Sequence, residues 1–294
     1  MTEGTVVAAH GRQYVVALDG EPARRLHCFP RGKKSEIACG DRVALSLPSA
    51  DQGCIERILP RQSLLYRSNE FKQKLIAANL SQIVIVLATE PPFSEEVLNR
   101  CLIAAENQRL SVLIVLNKCD LTPQLAGAKA ILQPYTKLGY RVLHLAATND
   151  VSELQAGLTQ HTSVLVGQSG MGKSTITNAL IPEAKAPTRE ISEALQSGKH
   201  TTTHATLYAL KDQTSGTPQS WLIDSPGLQE FGLAHLDNHE IEQAMPEFRP
   251  HIGNCRFRNC MHDHEPNCAI RDALAAGNIA PARYDIFQKL TGGR

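Results

Sequence analysis

The sequence predicts an α/β chain: a doubly wound parallel sheet in the middle, a small β-barrel before it and a short helical segment after it. Three observations predict this. Between about residues 75 and 233, apolar runs the length of buried strands alternate with stretches of helical spacing. The first 66 residues hold short strand-like segments punctuated by glycine. Cysteine and histidine concentrate between Cys255 and Cys268, in a polar C-terminal stretch. The division expected is 1–66, 67–233 and 234–294.

Composition bounds the function classes. The chain has 294 residues, 42% hydrophobic and 20% charged, which fits a globular protein and excludes a disordered one. A formal net charge of +1 gives no bulk argument for nucleic acid, so any such contact must come from local clusters. The start, MTEGTVVAAHGRQYVV, lacks a signal-peptide pattern, and no apolar run approaches the roughly 18 residues of a membrane span. A cytoplasmic chain without membrane contact is expected. Cys28, Cys39, Cys54, Cys101 and Cys119 are scattered and expected to stay reduced.

In the N-terminal part, residues 5–7, 14–18, 25–29 and 42–47 are strand-like, and 54–59 adds a fifth strand. Short strands at this spacing form a closed barrel. An OB-like barrel and an SH3-like one both fit. In the middle, residues 82–88, 112–116, 141–145, 163–166 and 221–223 are predicted strands. Residues 94–108 are predicted helix, with Val97, Leu98, Cys101, Leu102 and Ala105 on one face; 125–138, 151–158 and 175–180 are further helices. Helix pieces are expected at 241–245, 269–274 and 284–290.

The strongest motif is Gly167-Gln168-Ser169-Gly170-Met171-Gly172-Lys173-Ser174, which fits G-x-x-x-x-G-K-[ST] between a predicted strand and a predicted helix beginning near Thr175. The glycines let backbone N–H groups wrap phosphate oxygens, and the helix N-terminus adds its positive dipole end. Lys173 supplies a point charge to the β- and γ-phosphates, and the Ser174 hydroxyl suits Mg²⁺.

A second motif, Asn117-Lys118-Cys119-Asp120, follows the strand at 112–116. It has the N-K-x-D pattern of GTP-binding domains. Asp120 can accept hydrogen bonds from guanine N1–H and the exocyclic amine, which adenine does not present. Such polar complementarity rejects the wrong ligand by roughly 10⁴–10⁵. Asn117 bonds the ring or braces the loops, and the Lys118 stem lies along the base. A third motif, Asp224-Ser225-Pro226-Gly227, follows the strand at 221–223. Its carboxylate can hold Mg²⁺ through water, and the Gly227 N–H can meet the γ-phosphate. In ordinary GTPases the base motif comes after the phosphate loop. Here it comes first, which is a circular permutation, and the γ-phosphate-sensing loop leads straight into the C-terminal segment.

The permuted order, Gly198-Lys199-His200-Thr201-Thr202, the Asp224–Gly227 motif and the cysteine/histidine cluster resemble the ribosome small-subunit-dependent GTPase A (RsgA) family over nearly the whole chain. The resemblance implies a circularly permuted P-loop GTPase domain with an N-terminal OB-like barrel and a C-terminal helical zinc-binding domain. It implies GTP hydrolysis stimulated by the small ribosomal subunit during late maturation, with that subunit and its rRNA as partners and GTP and GDP as ligands. It places a switch loop at residues 198–202, where one threonine completes the Mg²⁺ shell: Thr202 is the best match, with Thr201 and Thr203 as neighbouring alternatives. Leu228 stands where Ras-like proteins carry a water-positioning glutamine, and His200 is the candidate to orient water instead. The second base loop departs from the family's Ser-Ala-x-[TS]-G, reading Ala146-Ala147-Thr148-Asn149, with Ala146 and Ala147 the expected contacts.

Cys255-x₄-Cys260-x-His262-x₅-Cys268 offers three thiolates and an imidazole, a closed shell for one structural Zn²⁺ per chain. Spacing leaves His262 and His264 as alternatives, and the resemblance selects His262. Basic residues cluster at Arg24-Arg25, at Arg31-Gly32-Lys33-Lys34 and at Arg256-Phe257-Arg258, as candidate phosphate contacts. A GTPase acting as a monomer is the expected reading. Its rivals are an RNA-docking adaptor gated by nucleotide without turnover, and a kinase-like phosphotransferase, which the two intact guanine and Mg²⁺ motifs disfavour.

Overall fold

A computed structural model describes residues 2–32, 36–49, 51–69, 72–184, 205–210, 220–225, 233 and 235–292. The barrel comprises β1 (Thr2–His10), β2 (Gln13–Leu18), β3 (Glu21–Pro30), β4 (Arg42–Ser46) and β5 (Gln52–Ile58). Pairing runs β1-β2-β3-β5-β4 and closes from β4 back to β1. The β3–β5 pair is parallel and the other pairs antiparallel. That order makes the barrel OB-like and removes the SH3-like alternative. Inward-facing Val6, Val16, Leu26, Val43, Leu45 and Ile55 fill it.

Buried Asp41, at the start of β4, fixes the barrel's base. It accepts from Arg61 Nε at 2.6 Å and Arg61 Nη2 at 2.7 Å, and from the Ala38 amide at 2.8 Å. The neighbouring loop rests on a hairpin, β6 (Leu64–Asn69) and β7 (Lys72–Ala78), through a Cys39–Ala77 bridge and Asn79 Nδ2 donating to Gly40 O. Gly40 has φ of +90°, and a Cβ there would lie 2.2 Å from Ala78 O, so only glycine allows this approach.

The central sheet has the order β10 (Arg141–His144), β9 (Ser111–Asn117), β8 (Gln82–Ala88), β11 (Thr162–Val166), β13 (Ser220–Asp224), β12 (Thr206–Leu210). The first five are parallel, and β12 is an antiparallel edge that also touches β1 at Ala8–Thr206. Every residue of β8 is buried, as its unbroken apolar run demands. Ile83, Ile85 and Leu87 face one layer, which contains α1 (Glu95–Asn107) and α2 (Thr122–Lys137). Val84, Val86 and Ala88 face the other, with α3 (Ser152–Gly157) and α4 (Lys173–Leu180). The β6–β7 hairpin and β12 went unpredicted: in β6 and β7 the apolar residues are confined to one end, and β12 is only five residues long.

The C-terminal segment holds α5 (Asn238–Gln243), α6 (Ala269–Ala275) and α7 (Pro281–Thr291), labelled here in chain order. Asp237 and Glu240 close a capping box on α5. The segment is bolted to α1 by a buried pair. Arg283 Nε and Nη2 meet the Glu247 carboxylate at 2.6 and 3.0 Å, and Arg283 Nη1 donates to Asn99 Oδ1. Asn99 Nδ2 in turn donates to the Tyr135 hydroxyl at 2.8 Å. The Arg283 and Glu247 side chains are 1% and 3% exposed. Arg283→Met therefore leaves a buried carboxylate without its cation and is expected to cost about 3–5 kcal/mol in urea denaturation. Replacing both partners, with Glu247→Leu added, is expected to recover most of that loss; a single variant as stable as the parent contradicts this account of the pair.

Candidate functional site

All five parallel strands end on one edge of the sheet, and the motifs sit there, where open α/β sheets bind ligands. The phosphate loop links β11 to α4. Gly167 has φ of +142°, and a Cβ on it would lie 2.2 Å from Val86 O, so the loop leaves the strand against the backbone of β8. Gly172, at φ +94°, is the N-cap of α4. The helix thus begins at Lys173, two residues before the sequence suggested, and Lys173, Ser174 and Thr175 form its first turn. Gln168 ties the loop to α1: its Oε1 accepts the Ser94 amide at 2.7 Å, while the Ser94 hydroxyl caps α1.

The second motif ends β9. Strand order β9-β8-β11 puts it two strand spacings from the phosphate loop, about 10 Å in the plane of the sheet. Asn117 spans that gap. Its Nδ2 donates to Met171 O at 2.9 Å, and its Oδ1 accepts the Ala147 amide at 3.0 Å. Asn117 is 2% exposed, and a Cβ on Gly172 would fall 2.2 Å from its Nδ2. A bare glycine at 172 and an amide at 117 are therefore one fitted pair. Lys118 takes a left-handed conformation, φ +59°, held by Thr89 Oγ1 donating to its carbonyl and by its own Nζ donating to Glu90 O. The Cys119 amide bonds to Leu145 O at 3.1 Å, which draws the loop at Ala146 alongside. Asp120 is exposed at the mouth of this arrangement.

The departure at Ala146–Asn149 is accommodated by backbone. The Asn149 and Asp150 amides both bond to Ala146 O, and Ala147 offers its amide to Asn117. No side-chain hydroxyl is needed to hold that turn.

At the end of β13, Asp224 shares a partly buried environment with Lys173. Burial drives the Lys173 ammonium down to about 8, against the opposing pull of Asp224. Burial raises Asp224, against the pull of Lys173. Lys173 Nζ donates to Gly167 O and, at 2.8 Å, to Gln168 O. His200, Thr202 and Gly227, with Gly198, Lys199, Thr201, Thr203 and Leu228, lie outside the described residues, as do Lys33 and Lys34.

The four predicted metal ligands converge. The donor atoms of Cys255, Cys260, His262 and Cys268 lie within 4.8 Å of one another. Cys255 Sγ is 3.9 Å from Cys268 Sγ, and His262 Nδ1 is 3.5 and 3.3 Å from those two sulfurs. A tetrahedral zinc with bonds of about 2.3 Å to sulfur has ligand edges of about 3.8 Å, so the donor set fits. Burial, and then Cys268 and Cys255, push the Cys260 thiol up to about 12. Three sulfurs this close can ionise together only with a cation between them. His264 is exposed and turned to Asp263 at 3.2 Å, so it is not the fourth ligand. Glu242, on α5, was not anticipated: it bonds His262 Nε2 at 3.0 Å, and its distance in sequence hid it.

The connectivity states the class. Strands β8–β10 precede β11–β13 in the chain yet lie beside them, so the phosphate loop falls in mid-sheet and the base motif ahead of it. This is the fold of a circularly permuted GTPase. The model of the RsgA GTPase family matches residues 58–234. The small ribosomal subunit biogenesis GTPase RsgA of Burkholderia pseudomallei is 56% identical over 98% of this chain and 91% of its own length. The protein of the same description from Paraburkholderia xenovorans is 55% identical over 98% and 92%. Among solved structures, YjeQ from Thermotoga maritima superposes with a TM-score of 0.77 at 28% identity, covering 100% of this chain and 99% of that one. YloQ, described as a circularly permuted GTPase, shares the fold at 24% identity and a TM-score of 0.73, covering 99% and 94%. The chain belongs to the RsgA GTPase family.

Two outcomes follow from this geometry. Asn117→Ala strands Met171 O and the Ala147 amide, and nucleotide affinity measured by calorimetry is expected to fall about 10–100-fold; unchanged affinity contradicts the bracing role. Lys173 also gives binding a pH signature. Its depressed value leaves it partly deprotonated above about pH 8, and a polyphosphate favours its charged form. Binding at pH 8.5 is therefore expected to take up a proton, read from calorimetry in buffers of different ionisation enthalpy. Lys173→Met is expected to abolish the uptake.

Proposed function

We propose that this chain hydrolyses GTP during late maturation of the small ribosomal subunit, and that the subunit stimulates the reaction. The observation that carries the reading is the Asn117 side chain, hydrogen-bonded at once to the phosphate loop and to the second base loop. A nucleotide lying across these loops meets Asp120 at one end and Lys173 at the other. The relatives' description as small ribosomal subunit biogenesis GTPases supports the partner.

In this reading Asp120 accepts from guanine N1–H and its exocyclic amine. The Lys118 stem lies along the ring, and Cys119, Ala146 and Ala147 complete the base pocket. Backbone N–H groups from Gly167 to Thr175 hold the phosphates, with Lys173 opposite the β- and γ-oxygens. Mg²⁺, when bound, neutralises charge on the β- and γ-phosphates. Ser174 and Asp224 are the residues that would hold it, with Thr202 from the switch loop. Gly227 senses the γ-phosphate, and His200 orients the attacking water where Leu228 cannot. The Cys₃His cluster would hold one structural Zn²⁺. The exposed Arg256 and Arg258 beside it, which flank Phe257, and Arg24, Arg25 and Arg31 on the barrel suit rRNA phosphates. The three-part division 1–66, 67–233 and 234–294 serves this reading, with the barrel and metal module docking the GTPase as a monomer in the cytoplasm.

The test is turnover of GTP and ATP with and without purified small subunits. Stimulated, GTP-only hydrolysis is expected. Equal ATP turnover contradicts the base assignment, and GTP binding without stimulation favours the nucleotide-gated adaptor. Asp120→Asn swaps an acceptor for a donor beside N1–H and is expected to weaken GTP binding about 10²–10⁴-fold, from two charge-assisted bonds at about 1.5–3 kcal/mol each.

A further inference from the structure

The Cys₃His cluster has a further group behind one of its four donor side chains, on the side of the ring away from the sulfurs. Glu242 lies at the end of α5, with its side chain 12% exposed. One carboxylate oxygen meets His262 Nε2 at 3.0 Å, and the other meets His239 Nδ1 at 3.4 Å. The opposite nitrogen of the same imidazole, His262 Nδ1, faces the sulfurs of Cys255 and Cys268.

A neutral imidazole carries one proton, and only the other nitrogen has a lone pair for a cation. An ionised carboxylate can only accept. With Glu242 against Nε2, the proton stays on Nε2 and the lone pair stays on Nδ1, directed at the sulfur cluster. We infer that Glu242 is the positioning residue of the Cys₃His site: it selects the tautomer and sets the tilt of His262, and so anchors the metal to α5. This rests on the reading of the cluster as a metal site.

The rest of the His262 environment fixes the residue but not its proton. Its backbone is left-handed, φ +60°, and its carbonyl accepts from the Tyr284 hydroxyl and, at 3.0 Å, from Gln288 Nε2, both on α7. Its ring packs beside Phe287 at a centroid distance of 5.9 Å. So α7 holds the backbone and one side of the ring, whereas among the described residues it is α5 that supplies the acceptor at Nε2. Glu242 comes 18 positions after Asp224 in the chain, so the metal would be tied to the first described helix beyond the strand that ends at that carboxylate. His239, on the far oxygen, is 68% exposed and pairs with Glu242 rather than with one of the four donor side chains, which makes it a control.

The experiment uses the full-length chain and Zn²⁺, with competition against a chromogenic chelator. The wild type is expected to hold one zinc, and Glu242→Ala to weaken it about 10–100-fold, the usual effect of removing such a carboxylate. Glu242→Gln keeps an acceptor oxygen and is expected to fall between the two. His239→Ala is expected to stay within about threefold of wild type. Glu242→Ala within threefold of wild type, with GTP affinity and circular dichroism intact, overturns the inference. Should Glu242→Ala fail to fold, long-range proton–nitrogen spectra of the zinc-loaded wild type decide: a proton on Nε2 with metal on Nδ1 supports it, and the reverse overturns it. A wild type that holds no zinc, or holds it equally after Cys255→Ser, removes the metal reading itself rather than the role of Glu242.

Discussion

The site depends on one buried amide. Asn117 ends the strand beside β8, donates to Met171 in the phosphate loop and accepts from Ala147 in the second base loop. Three loops from three strands are held in one geometry by a side chain that is 2% exposed. Each bond contributes only about 1 kcal/mol net, but an unmet partner in so dry a place costs more. The neighbouring constraint is steric. Gly172 lacks the Cβ that would collide with Asn117, and its φ of +94° is open to glycine. Changing either residue breaks the same contact.

Permutation changes what this contact can reach. In this chain the strand carrying Asp224 is the last described strand in sequence, and the next described helix is α5, whose Glu242 touches His262 of the Cys₃His cluster. A second path leaves the phosphate loop at Gln168, enters α1 at Ser94 and meets Arg283 of α7 through Asn99. Both ends of the C-terminal segment are thus fastened to elements that touch the nucleotide edge. The barrel is fastened separately, by Asp41 with Arg61 and by the seat of Gly40 on the β6–β7 hairpin.

How much was legible in the sequence follows from the range of each interaction. The phosphate loop, the strand runs at β8 and β9 and the five barrel strands are local patterns, and all were readable. The side chains that gather are Cys255, Cys260, His262 and Cys268, with His264 turned away to Asp263. The β6–β7 hairpin and the antiparallel edge β12 were missed, because pairing rather than apolar period makes them strands. The partnerships of Glu242 with His262 and of Arg283 with Glu247 and Asn99 join residues 20, 36 and 184 positions apart. No motif encodes them; only packing reveals them. Gly172 was readable as a loop glycine, but its fit against Asn117 was not.

The central claim is that one guanine nucleotide spans the ends of β9 and β11, with its base on the Asp120 side and its phosphates on the Lys173 side. A crystal structure of the chain with bound GDP tests it most directly. The account predicts guanine N1 and the exocyclic amine at hydrogen-bonding distance from the Asp120 carboxylate, with the β-phosphate on the amides of residues 168–174. A nucleotide whose phosphates occupy that loop while its base lies away from Asp120 would contradict it.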